Sequence, residues 1–305
     1  DPKNYFIPYE MGYAFYLKKD YKESLGYFKK VINFKDINDQ CYQMLGNLYD
    51  FNGDSKKAIE TYDKGLKLFP NSGCLYLEKG NMFFVRKEYN KALNYYEKGI
   101  EVEPDYPSNY YRATQIYLSS DEEVWGMLYG ELFMNLERNS QRTAEVSKWL
   151  HDTYKSEIKF ISDTSMSVSF SKQAYILTAK DGEKAKDFKL PFPMIVYEPL
   201  LMLSTAIEKE INAQSLNRIR TNFIEAYYKD ELPKKYPNAL FDYQKKIADA
   251  GHLEAYNHWI LMKGDEEAFE KWYTENEEKW NAFADWFGPN PIELSATNKF
   301  YRTQY

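Results

Sequence analysis

An interval of 34 residues recurs through the first third of this chain, and it constrains the fold more than any other feature. Gly46 follows Gly12 by 34 residues, and Gly80 follows Gly46 by the same interval. An aromatic residue recurs at the same interval, as Phe28, Tyr62 and Tyr96. A small residue also recurs at this interval, as Ser24, Ala58 and Ala92. A repeat of this length is typical of stacked supersecondary units that bury their apolar faces against one another.

Each repeat is predicted to hold two amphipathic helices joined by a tight polar turn. The turns are predicted at 19–20, 52–54 and 87–88, where polar residues separate two segments of helical apolar periodicity. Small residues such as Gly46 and Ala58, one on each helix of a pair, would let the two helices approach closely. The first part of the chain is therefore predicted to be built from helical hairpins.

This pattern resembles the tetratricopeptide repeat family, whose 34-residue units carry small residues at positions 8 and 20, an aromatic residue at position 24 and a late proline, here Pro70 and Pro104. The resemblance assigns four units, at about 5–38, 39–72, 73–106 and, in degenerate form, 107–140. In the fourth unit Thr114 replaces the glycine, and its second helix is predicted to begin with a capping box of Ser120 and Glu123. The resemblance implies that 1–140 forms an α/α superhelix.

The remainder, 141–305, is predicted to be a helical region with a small β-containing insertion at about 162–190. Met166, Val168 and Phe170 alternate with serines, which is typical of a half-buried strand. A unit resembling tetratricopeptide or Sel1-like repeats is predicted at about 238–282. The expected fold is thus mostly α, an α/α superhelix with a small β-containing insertion.

Charge and composition exclude several classes of partner. The chain carries 40 Lys plus Arg against 46 Asp plus Glu, a net charge of −6, which argues against nucleic-acid binding. No apolar stretch is long enough to predict an integral membrane span. Two cysteines and three histidines without ligand spacing predict no metal and no cofactor. Because the chain begins at Asp1, an export signal would already be removed, and the compartment stays open between the periplasm or envelope and the cytoplasm.

Two motifs could carry chemistry, and each has a plainer structural interpretation. Ser169 to Lys172 fits S-x-x-K, in which the lysine activates a serine nucleophile, but the stretch alternates like a strand and so does not place the two side chains on one helix face. Asp50 to Asp54 begins like an EF-hand loop, yet it lacks the glycine and the final glutamate of that loop. It is better explained as the turn between paired helices.

The resemblance implies that the first helix of each unit lines a concave face that receives an extended peptide or a partner helix. Carried over position by position, it assigns this face to Tyr9, Tyr13, Tyr16, Gln43, Asn47, Leu77, Asn81, Phe84, Tyr111 and Gln115. Asn47 and Asn81 would pair with a partner's backbone, and the rings would supply apolar contact. The carboxylate clamp of chaperone-binding relatives is not expected, because its basic and amide slots hold Tyr9, Tyr13, Met44, Cys74 and Glu78.

The expected function is a non-catalytic scaffold that binds a protein or peptide through this concave face. One alternative leaves the face filled by the protein's own insertion or by its C-terminal tail with Phe300, Tyr301 and Tyr305. A second is an enzyme whose site lies within 160–240 and whose repeats serve as a docking platform. A third is a structural subunit of a cell-envelope assembly.

Overall fold

A computed structural model describes residues 4–162, 165–172, 191–229 and 231–305. The chain divides into two compact units, the first ending at Asn109 and the second beginning at Tyr110. This division reflects the contacts within each unit and does not show where a repeat begins or ends. The predicted repeat array over 1–140 therefore stays a prediction. The mostly helical fold class predicted from the sequence is confirmed.

The first unit consists of three helical hairpins and the beginning of a further helix. Its helices are α1 (Phe6–Leu17), α2 (Tyr21–Val31), α3 (Asp39–Phe51), α4 (Ser55–Leu68), α5 (Gly73–Val85), α6 (Tyr89–Val102) and the first residues of α7 (Pro107–Tyr117). Consecutive helices pack as the pairs α1 with α2, α3 with α4 and α5 with α6, and α3 also contacts α5.

The three turns lie where the sequence predicts them. Lys19, Gly53 and Lys87 each adopt a positive φ, between 60° and 79°, which reverses the chain after the first helix of each hairpin. Asp20 and Asp54 then begin the second helices, and their carboxylates accept the main-chain N–H groups three residues further on. Local chemistry thus determines both the turn and the helix start.

The repeated glycines are required by the close approach within each hairpin. A Cβ atom on Gly46 would lie 2.1 Å from the Tyr62 ring, and one on Gly80 would lie 2.2 Å from the Tyr96 ring. The buried aromatic of the second helix therefore occupies the space that a side chain on the first helix would fill. This contact explains why the glycine and the aromatic residue recur at the same interval.

The second unit holds helices of less regular length, from four to 17 residues. They are the rest of α7, α8 (Glu123–Leu136), α9 (Gln141–Glu157), α10 (Glu198–Thr205), α11 (Ala213–Lys229), α12 (Leu232–Lys235), α13 (Ala239–Asp249), α14 (Leu253–Leu261), α15 (Glu266–Glu275) and α16 (Glu277–Phe287). A π-helical turn over Pro193–Tyr197 leads into α10. Within the four described ranges, no helix combines the length and the hydropathy that crossing a bilayer requires.

A two-stranded antiparallel hairpin interrupts the helices of the second unit. Strand β1 (Ile158–Ser162) pairs with β2 (Ser165–Val168), with Ile158 opposite Val168 and Phe160 opposite Met166. Strand β1 begins before the predicted insertion at 162–190 and β2 lies within it; residues 163–164 and 173–190 of that insertion lie outside the described residues. The helix α9 runs directly into β1, which is why the strand begins before the alternating serines.

The predicted capping box at the start of α8 is wrong. The helix begins at Glu123 after Glu122, and no side chain caps its first turn. The Val124 N–H donates instead to the Phe170 carbonyl at 3.1 Å, and Glu122 forms an isolated β-bridge with Ser171. A strand-like segment almost fifty residues away in sequence therefore satisfies the helix end, which a local motif does not reveal.

Candidate functional site

Aromatic rings cover one side of α1 and extend onto α3. Tyr9 is half-buried edge-on to Phe28, with ring centroids 5.2 Å apart. Tyr13 is 38% exposed and stacks on Tyr16 at 6.0 Å, and Tyr16 contacts Phe51 of α3 at the same distance. These rings form a partly accessible apolar surface, because Phe51 is also 53% exposed.

A row of amides and one carboxylate continues this surface across α3 and α5. The Gln43 side chain donates to Glu78 Oε1 at 2.8 Å, and the Asn47 amide lies 3.5 Å from the same oxygen. The Asn81 amide donates to Glu78 Oε2 at 3.1 Å. All four side chains are half-buried, so Glu78 is a carboxylate held by neutral donors at a surface that solvent still reaches.

Two buried tyrosines fix the orientation of the asparagines. The Tyr62 hydroxyl donates to Asn47 Oδ1 at 2.5 Å, and the Tyr96 hydroxyl donates to Asn81 Oδ1 at 2.9 Å. With each amide oxygen accepting a phenolic hydrogen, each amide nitrogen is turned toward the carboxylate. The asparagines therefore form part of an internal relay from the core to Glu78.

Glu78 has no cationic partner among the described residues. The neighbouring Lys79 points away, 2.6 Å from Asp63 and over the Tyr95 ring. Burial, followed by the negative charges of Glu78 and Asp50, raises the pKa of Tyr62 well above its ordinary value. The surface next to the aromatic rings is thus negatively charged.

Two further predicted residues lie on α5. Leu77 is buried at 8% exposure, so it contributes to packing more than to surface. Phe84 is half-buried and contacts Tyr89 edge-on at 5.7 Å. We call the surface of Tyr9, Tyr13, Tyr16, Gln43, Asn47, Phe51, Glu78, Asn81 and Phe84 the α1/α3/α5 face.

Comparison with known families decides what kind of unit carries this face. Residues 39–72, which contain α3 and α4, match the family described as the tetratricopeptide repeat. These two helices form a tetratricopeptide repeat. The matched residues are those predicted for the second repeat; the Sel1-like unit at 238–282 is not matched and stays a prediction.

Three solved structures show some similarity to this chain. The pilF protein of Pseudomonas aeruginosa is 15% identical over 80% of this chain and 97% of its own, with a TM-score of 0.44. A tetratricopeptide repeat protein from Parabacteroides merdae is 15% identical over 94% and 99%, with a TM-score of 0.41. MamA is 21% identical over 48% and 83%, with a TM-score of 0.40. Among curated proteins, none is significantly similar in sequence.

The last two residues predicted for the face, Tyr111 and Gln115, lie in the second unit. Tyr111 is buried, stacks on Trp149 at 5.7 Å and donates its hydroxyl to Glu145 at 2.8 Å. The Gln115 oxygen accepts from Arg112. A role in partner binding stays a prediction for both.

The C-terminal tail packs within the second unit. Phe300 is fully buried and lies 6.0 to 6.2 Å from the rings of Trp125, Tyr129 and Phe192. Tyr305 stacks on Tyr236 at 6.0 Å. Phe300 and Tyr305, two of the three tail aromatics that could have filled the face, therefore pack inside the second unit, and Tyr13 is 38% exposed.

The S-x-x-K stretch does not have the geometry of a serine nucleophile and its base. Residues 169–172 are not helical. Glu123 and Glu157, each 3.6 Å from the Lys172 ammonium, hold the pKa of this lysine above its ordinary value. A lysine kept protonated in this way does not accept a proton from serine.

Metal and thiol chemistry lack a suitable site in the described ranges. No group of three or more His, Cys, Asp and Glu side chains there could hold a metal ion. Cys41 and Cys74 are buried and free, and burial raises the pKa of Cys74 to about 12. The thiol is therefore protonated at neutral pH and poorly reactive.

Sequence reasoning missed two groups of residues. The sequence identifies Glu78 only as a departure from the carboxylate clamp. Tyr62 follows Asn47 by 15 residues, and Tyr96 follows Asn81 by the same number. This equal offset was the available signal for the relay. The buried ion pair of Glu131 and Arg220 in the second unit carries no sequence signal, because the residues lie 89 positions apart.

Proposed function

We propose that the protein binds an extended segment of a partner protein on the α1/α3/α5 face. Tetratricopeptide repeats form protein-interaction scaffolds, and the observation that carries the proposal is the continuity of this face. Partly exposed rings on α1 meet a row of amides and a carboxylate on α3 and α5, all within one compact unit. Rigid rings supply apolar contact area at low entropic cost, and amides pair with a backbone.

No catalytic function is proposed. The second unit does bring titratable side chains together, in a cavity lined by Glu131, Arg220 and Tyr197. Glu131 and Arg220 neutralise one another through a bidentate pair, however, so neither is available as an acid or a base. An envelope-assembly role is a special case of partner binding and would show in the identity of the partner.

Affinity capture from the native host tests the proposal. Tyr13→Ala removes an exposed ring without leaving a buried polar group unpaired, unlike Asn47→Ala, which would strip the Tyr62 hydroxyl of its acceptor. Leu68→Ala, which removes an exposed apolar side chain of α4, is the matched control. We expect a specific interactor to be recovered by the wild type and the control and lost at least in part by Tyr13→Ala. Equal recovery by all three would contradict the proposal.

A further inference from the structure

The charge distribution on the α1/α3/α5 face narrows the chemistry of the partner. Glu78 accepts hydrogen bonds from three amides, and these neutral donors stabilise the carboxylate without cancelling its charge. The nearest lysine in sequence, Lys79, is already paired with Asp63. A formal negative charge is therefore fixed in place and left without a cation of its own among the described residues.

The relay behind Glu78 makes this charge unusually well positioned. Tyr62 and Tyr96 are almost fully buried, and their hydroxyls hold the Asn47 and Asn81 amides in one orientation. Binding of a ligand to this carboxylate therefore loses little further side-chain entropy, since three amides already hold the side chain in place. A preorganised anion at a partly desolvated surface favours a cation over a neutral group.

Beyond the three amides, the surroundings of Glu78 are apolar or acidic. Phe84 lies six residues further along α5, Asp50 is exposed on α3, and Phe51 of α3 contacts the α1 ring of Tyr16. Burial raises the pKa of Tyr106 to about 12, and the negative charge of Glu78 contributes to this rise. The same charge contributes to the raised pKa of Tyr62. The face therefore complements a cationic side chain flanked by apolar residues.

We infer that the partner segment places a lysine or arginine side chain on Glu78, with apolar residues on either side of it facing the rings of α1 and Phe84. This inference rests on the proposed function and adds the charge of the ligand to it. Charge complementarity makes binding specific for a basic segment. An acidic or neutral partner residue next to Glu78 would leave the carboxylate desolvated and without a counterion.

Selection from a displayed library of random 12-residue peptides, with the full chain as bait, provides the test. Peptides that bind the wild type but not the Tyr13→Ala variant are selected for analysis, since they occupy the α1/α3/α5 face. We expect a lysine or arginine to be enriched at one position among them. Replacing it with norleucine should weaken binding about tenfold, a typical effect for a charge-assisted hydrogen bond at a partly exposed site.

The complementary change is Glu78→Gln, which keeps an acceptor oxygen and removes the charge. We expect it to weaken the basic peptide about tenfold and to leave the norleucine peptide unchanged, with Kd measured by fluorescence anisotropy. Glu60→Gln is the matched control, because Glu60 is exposed on α4 and undergoes the same change of charge. Circular dichroism of each variant checks that the repeat remains folded.

Two results would overturn the inference, and they differ in what else they affect. Tyr13-dependent binders without a basic residue, or equal losses with Glu78→Gln and Glu60→Gln, would refute the cation while leaving the proposed function intact. A library that yields no Tyr13-dependent binder would refute both.

Discussion

His258 lies under the ring of Trp272, with ring centroids 4.1 Å apart and planes within 15°. Burial lowers the pKa of His258 to about 4, so the imidazole is neutral in the folded protein at pH 5 and above. In the unfolded chain the same group takes up a proton below about pH 6.5. The contribution of His258 to folding is therefore complete above that pH and is lost as the pH falls from about 6.5 toward about 4.

The protein is accordingly expected to lose about 2 kcal/mol of its free energy of unfolding between pH 7.5 and pH 5 through this residue. His258→Phe keeps a ring over Trp272 and cannot be protonated, so the variant should lack that part of the pH dependence. Urea unfolding of both proteins at the two pH values measures the difference. An identical pH dependence in the two proteins would show that His258 does not titrate on unfolding.

Arg220 and Glu131 form a buried ion pair in the core of the second unit. The guanidinium donates to both carboxylate oxygens, at 2.6 and 2.9 Å, and its Nε donates to Asn257 at 2.9 Å. Tyr256 and Gln244 also donate to the carboxylate, so the network joins four helices of the unit.

Arg220→Met should destabilise the protein by about 3–5 kcal/mol, because it leaves Glu131 buried without a counterion. Lys148→Met provides the control: Lys148 forms an ion pair with Asp152 on α9, and both of these side chains are more than half exposed. Its loss should cost less than about 1 kcal/mol. Chemical denaturation of the two variants compares the costs, and similar values would contradict the distinction between buried and exposed pairs.

Individual side chains of the face could be assigned to a helix surface from the sequence, but their bonds could not. The repeat spacing places Asn47 and Asn81 at equivalent positions, as the structure shows. Their engagement with Tyr62, Tyr96 and Glu78 depends on how four helices stack, since Glu78 lies 31 and 35 positions from its donors on α3. A pattern within one helix does not contain that information.

At the scale of elements, the three hairpins depend on glycines that have no room for a side chain. Gly46→Ala would place a methyl group within the Tyr62 ring and should destabilise the α3–α4 hairpin by about 1–3 kcal/mol, a typical cost of overpacking. Gly26→Ala lies in the middle of α2 with nothing within 4 Å, and it should stabilise the protein by up to about 1 kcal/mol. Thermal unfolding should show opposite signs for the two variants, and a loss of stability in both would contradict this account.

The hairpins were predictable because each is determined by residues close in sequence. An aspartate cap, a left-handed turn residue and a glycine facing an aromatic residue all lie within one repeat. The start of α8 and the position of β1 were not predictable on the same basis. The start of α8 depends on the pairing of Glu122 with Ser171, a contact between segments that are distant in the chain. Strand β1 depends on where α9 ends and on its pairing with β2.

At the scale of the whole molecule, the two units differ in their natural fluorescent probes. All six tryptophans lie between Trp125 and Trp286, within the second unit, whereas both units are rich in helix. Tryptophan fluorescence therefore reports on the second unit, and far-ultraviolet circular dichroism reports on both.

Gly46→Ala provides a test of how stability is distributed, because the substitution lies in the first unit. In stacked repeats, stability is approximately a sum of local and nearest-neighbour terms. We expect the dichroism midpoint in urea to fall in this variant while the fluorescence midpoint changes less. Coincident transitions that shift by the same amount would instead show that the chain unfolds as one cooperative block.

The phenol–amide pair occurs in two successive repeats, and one carboxylate, Glu78, lies between the two asparagines; Met44 and Arg112 stand at the equivalent positions of the neighbouring repeats. Duplicating the segment 73–106 would set an additional glutamate between Asn81 and its copy. The lengthened protein would then offer anchoring points one module apart, and a ligand carrying basic residues at matching spacing would gain avidity from a simple gene duplication.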